Sequence, residues 1–135
     1  MSQENVDVLR KAADALNSGG VEALLQFLPE DVVLYPFPDA PESSGGFHGH
    51  DGIREVMSGW NDSFEDFTVA TGEIRDNGDN VVALGEISGI IRGSDVPVRQ
   101  PMGIIAWDFR GGKIGKSRFF PSWEQALDAE GLRDG

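Results

Sequence analysis

The sequence predicts an α+β fold in which N-terminal helices cover a strongly curved antiparallel sheet. Apolar residues recur at spacings of three and four over the first part of the chain, which is the period of a helix. From Phe67 onward the period changes to two, which is the period of a strand, and Asn-Gly and Gly-Gly pairs separate successive strands. The chain has 135 residues and no cysteine. We therefore expect one domain over residues 1–135 that folds without disulfides.

Helical periodicity places two helices ahead of the first strand. The first runs from about Asn5 to Asn17 and ends at Ser18-Gly19-Gly20, because glycine readily adopts the left-handed backbone of helix ends. The second covers Val21–Leu28, and Pro29 follows it.

Two more helices are predicted further along the chain. One begins at His50, and its buried stripe comprises Ile53, Val56, Met57, Trp60 and Phe64. The other, Trp123–Glu130, is short and opens with the capping box Ser122-x-x-Gln125.

Strand periodicity identifies one early strand and four later ones. The first is Val32–Phe37, where Pro36 indicates an edge or a bulge. Residues Pro38–Phe47 form a loop rich in Pro, Gly and Ser, and loops of that length are commonly functional or mobile. The later strands form an antiparallel meander and comprise Thr68–Arg75, Val81–Arg92, Pro97–Phe109 and Ile114–Phe120.

Alternation along the strands predicts an inward face that encloses a mostly apolar pocket. Lys116 and Arg118 share one side of the last strand, and Glu86 and Arg92 share one side of the long middle strand, so the intervening residues face inward. Inward glycines leave volume for a ligand, whereas simple filling of the core is the alternative for any single side chain. The predicted lining, with its mouth near residues 38–50, comprises Val33, Tyr35, Met57, Trp60, Phe64, Gly85, Ile87, Gly89, Gly103, Ile105, Trp107, Ser117 and Phe119.

The opposite face of the sheet is also apolar, and we expect no further helix to cover it. A large exposed apolar face indicates a protein–protein contact, and a symmetric homodimer is the simplest way to bury it. Its residues are Val82, Leu84, Ile90, Val98, Met102, Ile104 and Ala106.

The charge of the chain excludes some classes of partner. Its formal net charge is −12, which repels phosphate backbones and anionic lipid head groups, so neither nucleic acid nor a membrane surface is an expected partner. The N-terminal residues are polar and acidic, unlike a signal peptide, and no apolar run is long enough to span a bilayer. We expect a soluble protein of the cytoplasm.

Four regions, in their order and spacing, resemble the superfamily of nuclear transport factor 2, ketosteroid isomerase and the polyketide cyclase SnoaL. They are Ala15–Leu25 at the first helix junction, Phe47–Arg54 at the entry to the third helix, Trp107–Ile114 in the last hairpin, and Arg118–Phe120 with Glu124–Leu127 in the tail. The resemblance covers nearly the whole chain. It implies a cone-shaped barrel, a strongly curved antiparallel sheet wrapped around the N-terminal helices. This fold serves isomerases, hydrolases, dehydratases, cyclases and non-catalytic binders, so the resemblance predicts fold more than function.

The catalytic residues of the best-known relatives are not preserved. By position, the aspartate base of ketosteroid isomerase falls on Tyr35, its oxyanion-binding tyrosine near Ala12 and its protonated acid near Ile105. The Asp–Arg–Asp set of limonene-epoxide hydrolase has no inward-facing counterpart. Ser122 stands about where many SnoaL-like tails have an aspartate, and a helix cap is its expected role.

Three residues are candidates for catalysis: Tyr35, His48 and His50. Histidine is suited to acid–base work near neutral pH, although a solvent-facing or capping role is the more common one for a loop histidine. His48-x-His50-Asp51 lacks a distant ligand to complete a metal site, so no metal and no cofactor are expected. Tyr35 is either a polar contact for a ligand or a structural phenol.

These observations leave three functions open. The first is a small-molecule-binding domain with a mostly apolar pocket. The second is a SnoaL-like isomerase, dehydratase, cyclase or hydrolase that acts on a hydrophobic ring compound by acid–base chemistry. The third is a dimeric interaction module without a functional pocket. The missing inward carboxylates favour the first over the second, and the inward glycines argue against the third.

Overall fold

In a computed structural model, which describes residues 2–35 and 46–131, three helices pack against one six-stranded sheet. The elements are α1 (Ser2–Leu24), a 3₁₀ turn (Leu25–Phe27), β1 (Val33–Tyr35), β2 (Phe47–His48), α2 (Gly49–Ser63), β3 (Phe64–Asn77), β4 (Asn80–Ile91), β5 (Val96–Arg110), β6 (Lys113–Phe120) and α3 (Trp123–Ala129). The expected α+β class is confirmed. Most of the predicted loop Pro38–Phe47 lies outside the described residues.

The sheet has the strand order β2-β1-β6-β5-β4-β3. The antiparallel meander from β3 to β6 is as predicted. The early strand β1, however, pairs with β6 in parallel, so the sheet is mixed rather than wholly antiparallel. Because β2 and β3 remain as edges, the sheet curves without closing into a barrel.

The two predicted N-terminal helices are continuous across a kink. Gly20 has φ 79° and ψ −168°, a conformation that glycine adopts without a steric penalty. Just before the kink, the side-chain amide of Asn17 is bound to the backbone of Val69 in the edge strand β3. Its Nδ2 donates to the Val69 carbonyl at 2.7 Å, and its Oδ1 accepts from the Val69 N–H at 2.9 Å.

Two bulges bend β3. The register with β4 shifts between Glu65 and Thr68 and again between Ala70 and Glu73, and bulges increase the local twist of a strand. At the second bulge the backbones of β3 and β4 approach so closely that a Cβ on Gly85 would overlap the Ala70 carbonyl oxygen. The glycine therefore permits the curvature that the sequence predicted, rather than leaving volume for a ligand.

Hydrophobic clusters lie on both sides of the sheet. The larger one fills the concave side, which α1 and α2 cover. The smaller one lies on the convex side beneath α3, and comprises Val82, Leu84, Ile105, Phe120 and Ala126 with Trp107 and Leu127 packed against it. No helix in the described part of the chain is long and apolar enough to cross a membrane.

The last helix, α3, corrects the expectation that the outer face of the sheet is uncovered. It begins as predicted, with the Ser122 hydroxyl accepting a hydrogen bond from the Gln125 N–H at 3.2 Å. It then packs on the convex face at Gly103, where an added Cβ would lie 2.5 Å from the Cβ of Ala126. Val82 and Leu84 lie beneath it, whereas Met102, Ile104 and Ala106 belong to the concave cluster.

Candidate functional site

An internal cavity of about 100 Å³ lies between the two longer helices and the concave face of the sheet. Its walls come from α1, α2, the segment that follows α1, and every strand except β2. The lining residues are Leu9, Ala12, Ala13, Leu16, Leu24, Leu28, Val32, Leu34, Ile53, Met57, Trp60, Phe67, Val69, Thr71, Ile87, Met102, Ile104, Ile114, Ser117 and Phe119.

The surface of this cavity is almost wholly apolar. Polar side-chain atoms come only from the hydroxyls of Thr71 and Ser117 and the indole N–H of Trp60, among the described residues that line it. None of those residues carries an acid, a base or another group that titrates near neutral pH. The cavity can therefore hold an uncharged molecule, while a charged one would lose its hydration without gaining a counter-charge.

Five of the residues predicted to line a pocket border this cavity. Met57 and Trp60 on α2, Ile87 on β4, and Ser117 and Phe119 on β6 all contact the cavity.

Phe64 and Gly89 lie beside the cavity rather than in its wall. They line a narrow cleft together with Phe67 and Ile87, two residues that also border the cavity. Trp60 and Phe67 stack with ring centroids 5.2 Å apart at this end.

Three residues of β5 were assigned to the wrong face: Gly103, Ile105 and Trp107. Ile105 and Trp107 belong to the convex cluster, and Gly103 contacts α3. The reason is a local reversal at Asp108, which has φ 58°. Phe109 beyond it packs into the concave cluster, whereas Trp107 before it packs into the convex one, so a single alternation along β5 does not assign both ends correctly.

The assignment of Val33 and Tyr35 to the pocket is also wrong. In the parallel pairing of β1 with β6, Leu34 lies opposite Ser117 and Tyr35 opposite Arg118. Tyr35 therefore shares the outward face of Arg118, while Leu34 lines the cavity. Gly85 is likewise absent from the cavity wall, and its carbonyl accepts a 2.8 Å hydrogen bond from the Trp123 indole on the convex side.

None of the three candidate catalytic residues lines the cavity. Tyr35 stacks on Trp107 with centroids 6.1 Å apart and the rings nearly parallel. His50 Nε2 is 2.9 Å from the Leu28 carbonyl oxygen, a contact that ties the start of α2 to the chain after α1. His48 is exposed at the start of α2. Within residues 2–35 and 46–131, no three His, Cys, Asp or Glu side chains are grouped to hold a metal ion.

An ion pair at the surface joins the two helices that cover the cavity. Arg54 on α2 donates to both carboxylate oxygens of Glu22 on α1, at 2.8 Å from Nε and 3.1 Å from Nη2, and also to Asp51 at 2.9 Å. These hydrogen bonds lower the pKa of the Glu22 carboxyl.

Sequence reasoning did not identify Thr71, one of the two hydroxyls in the cavity. The signal was present, since Phe67, Val69 and Thr71 alternate along β3 and all three line the cavity. Phe67 lies within the first register shift and Thr71 within the second, yet all three side chains face the same side of the sheet.

Comparison with proteins of known structure identifies the fold. A protein with a ketosteroid isomerase-like fold from Catenulispora acidiphila, in complex with trimethylamine, superposes with a TM-score of 0.71 at 20% identity, and 94% of each chain is covered. TerC, co-crystallised with polyporic acid, gives a TM-score of 0.73 at 18% identity, covering 95% of this chain and 98% of TerC. A protein from Jannaschia sp. CCS1, proposed to be a SnoaL-like polyketide cyclase, gives 0.73 at 15% identity, covering 98% and 95%.

Comparison of the sequence gives the family. No curated protein matches the sequence significantly. Residues 9–116, which hold most of the cavity lining, match the family described as the SnoaL-like domain. The match covers well over half of the chain, and we conclude that the protein belongs to the SnoaL-like domain family.

Proposed function

We propose that this protein binds a small, uncharged, largely apolar organic molecule in the cavity between the helices and the concave face of the sheet. The observation that carries the proposal is the chemistry of the wall, which is apolar apart from Thr71, Ser117 and the Trp60 indole among the described residues. Cavities of this kind transfer an apolar ligand out of water and orient it through a few polar groups.

The volume of the cavity limits the size of the ligand. A dry cavity of roughly 150 Å³ in another protein takes up benzene. At about 100 Å³, this cavity suits a molecule of about one ring, unless side chains move to enlarge it. Met57 and Met102 are the flexible members of the wall, and the unbranched side chain of methionine adapts readily to a ligand's shape.

The two hydroxyls would orient the ligand. Thr71 lies on β3 and Ser117 on β6, which are separated in the sheet by β5 and β4. A hydroxyl both donates and accepts, so each can bind a carbonyl or a hydroxyl group of the ligand. A ring with one such group would be held at one side of the cavity.

Structural relatives support small-molecule binding as a use of this fold. The relative from Catenulispora acidiphila is in complex with trimethylamine, and TerC was crystallised with polyporic acid. At 20% and 18% identity they do not fix the ligand of this chain.

The chemistry of the wall favours binding over acid–base catalysis. A general acid or base must lie within hydrogen-bond reach of the reacting atoms. Tyr35, His48 and His50 do not line the cavity, and no other titratable side chain of the described residues does. Binding without turnover therefore has more support than an isomerase, dehydratase, cyclase or hydrolase.

We extend this proposal to a cytoplasmic homodimer through the convex face of the sheet, at the end where Trp123 lies beside Gly85 and Glu73. Trp123 at the start of α3 has 40% of its surface exposed, and exposed aromatic side chains are common in protein interfaces. The lack of cysteine is compatible with a reducing compartment. Sedimentation of the wild type and Trp123→Ser would test the dimer, since the variant is expected to be monomeric at concentrations where the wild type associates.

A titration with p-cresol, followed by NMR of the methyl groups, tests the main proposal. We expect saturable shifts at the methyls of Ile87, Met57 and other lining residues, and no binding of 4-hydroxybenzoate, whose carboxylate would be buried without a partner. Ala13→Met should abolish binding because it fills the cavity. Ala15→Met is the matched control, since Ala15 is on the same helix but does not line the cavity.

The outcome that contradicts the proposal is equally specific. If Ala13→Met binds p-cresol as the wild type does, or if the shifts spread over the surface without saturation, the cavity is not the binding site.

A further inference from the structure

A second hollow, of about 190 Å³, lies on the convex side of the sheet near the end of α3. Ile105 and Trp107 of β5 form its floor. Arg118 of β6 lies at one side, and Asn80 of β4 with Glu130 lie at the other. We call this hollow the convex groove. The sheet separates it from the internal cavity, since Ile105 and Ile104 are consecutive residues that point to opposite sides.

Glu130 presents a fixed carboxylate to the convex groove. Asn80 Nδ2 donates to its two oxygens at 2.9 and 3.1 Å, and Asn77 Nδ2 donates to Oε1 at 2.9 Å. Both asparagines flank the β3–β4 turn, so the carboxylate is held at the end of a hairpin. A carboxylate has about four acceptor positions, and three hydrogen bonds leave capacity for one more donor.

Arg118 presents a guanidinium held by an aromatic side chain. Its Cζ lies 4.7 Å from the centre of the Tyr35 ring, and Tyr35 in turn stacks on Trp107. Arg54, Arg75, Arg92, Arg99 and Arg110 each pair with a carboxylate. Arg118 pairs with none in the described part of the chain, although the protein has 23 acidic residues.

The two charges border the same groove without meeting. Arg118 and Glu130 both line it, yet no ion pair joins them within the described residues. Adjacent strands are about 4.8 Å apart, so β6 and β4, on either side of β5, place the two edges of the groove about 10 Å from each other. An aromatic floor lies between a positive edge and a negative edge.

We infer that the convex groove binds an aromatic zwitterion. Its ring would lie over Trp107, its carboxylate would accept two parallel hydrogen bonds from the Arg118 guanidinium, and its ammonium group would donate to Glu130. A purely anionic ligand would be repelled by Glu130, and a purely cationic one by Arg118. The complementary pair of charges therefore selects a ligand that carries both.

The probe for this site is 4-(aminomethyl)benzoate, whose carboxylate and ammonium groups lie at opposite ends of one ring. We would titrate it into the intact protein and follow the indole N–H resonance of Trp107. The matched comparators are benzoate and benzylamine, which each lack one charged group. We expect the zwitterion to bind about tenfold more tightly than either, because each charge-assisted contact adds to the affinity.

Variants distinguish binding in the groove from non-specific electrostatic attraction to the protein surface. Arg118→Gln and Glu130→Gln should each weaken binding of the zwitterion about tenfold. Arg118→Gln should tighten the binding of benzylamine, and Glu130→Gln that of benzoate, because each variant removes the charge that repels the comparator. The control is Arg99→Gln, which removes an exposed arginine of β5 that pairs with Glu86 and does not line the groove. The thermal midpoint of each variant shows whether α3 remains docked when Glu130 is altered.

Three results would overturn the inference. These are equal binding of the zwitterion and its comparators, unchanged binding by Arg118→Gln, and binding that disappears as the protein self-associates. The last would assign the groove to an interface between copies of the chain. Ala13→Met should leave this site intact, so failure here and failure of the internal cavity are distinguishable.

Discussion

The two sides of the sheet are built from the same strands but offer opposite chemistry. On the concave side, residues such as Ile104 and Met102 border a cavity whose described lining has no charged group. On the convex side, their neighbours Ile105 and Gly103 lie against α3, next to a groove that Arg118 and Glu130 border. Because side chains alternate along a strand, one segment of sequence encodes both surfaces at once. A substitution at one strand position can therefore alter the chemistry of one side of the sheet, and the unaltered side serves as the control.

The largest expected effect is on stability, and it tests the close contact between β3 and β4 at which the sheet bends. Gly85→Ala would place a Cβ against the Ala70 carbonyl oxygen, so the β3–β4 pairing must shift. We expect a loss of about 3 kcal/mol in the free energy of unfolding, measured by urea denaturation. Gly59→Ala is the control, since no atom lies near its added methyl group and α2 should become roughly 0.5–1 kcal/mol more stable. A Gly85→Ala variant as stable as the wild type would show that this contact does not set the curvature.

The next effect compares the adjacent isoleucines of β5 directly. Ile104 is 9% exposed and Ile105 is 4% exposed, so truncating either to alanine should cost about 2 kcal/mol. Their effects on ligand binding should differ. Ile104→Ala enlarges the internal cavity and should admit a two-ring probe such as 2-naphthol, whereas Ile105→Ala should leave p-cresol binding as in the wild type. Equal changes in cavity binding would mean that the two sides are coupled through the strand.

The smallest effect concerns the ion pair over the concave side. In the folded protein, hydrogen bonds from Arg54 lower the pKa of Glu22 below its ordinary value of 4.5. A carboxyl with a lowered folded pKa stabilises the fold above its unfolded pKa, and this contribution is lost as pH falls through the folded value. The thermal midpoint of the wild type should therefore exceed that of Glu22→Gln slightly near neutral pH, and the difference should vanish in acid. Because both side chains are exposed, a large difference that persists in acid would exclude this electrostatic origin.

Sequence patterns predicted the helices and strands better than they predicted the side of the sheet on which each side chain lies. The helices, the four-strand meander and the Ser122 cap follow from local rules, namely periodicity, turn residues and capping, and all three are present. The faces of β1 and β5 depended on two features that periodicity does not reveal. One is the parallel pairing of Tyr35 with Arg118, and the other is the reversal at Asp108. A residue with positive φ that is not glycine leaves little trace in a single sequence.

The candidate site was predictable where a strand or helix keeps an uninterrupted period. The positions of Met57 and Trp60 follow from the apolar stripe of α2. Those of Ser117 and Phe119 follow from the charged residues that alternate with them along β6. The glycines misled the prediction for a different reason. Gly85 and Gly103 leave room for a carbonyl group and a helix, not for a ligand, and composition cannot distinguish these uses.

The hydrogen bonds between Asn17 and Val69 have a consequence for the protein's resistance to aggregation. The strand β3 runs from Phe64 to Asn77 at the edge of the sheet, and a long edge strand can recruit the strand of another molecule. Asn17 occupies both the N–H and the carbonyl of Val69 near the middle of that edge. The bulges on either side twist the remainder away from a flat template. The helix that covers the internal cavity thus also occupies the part of the edge strand where pairing with another chain would begin.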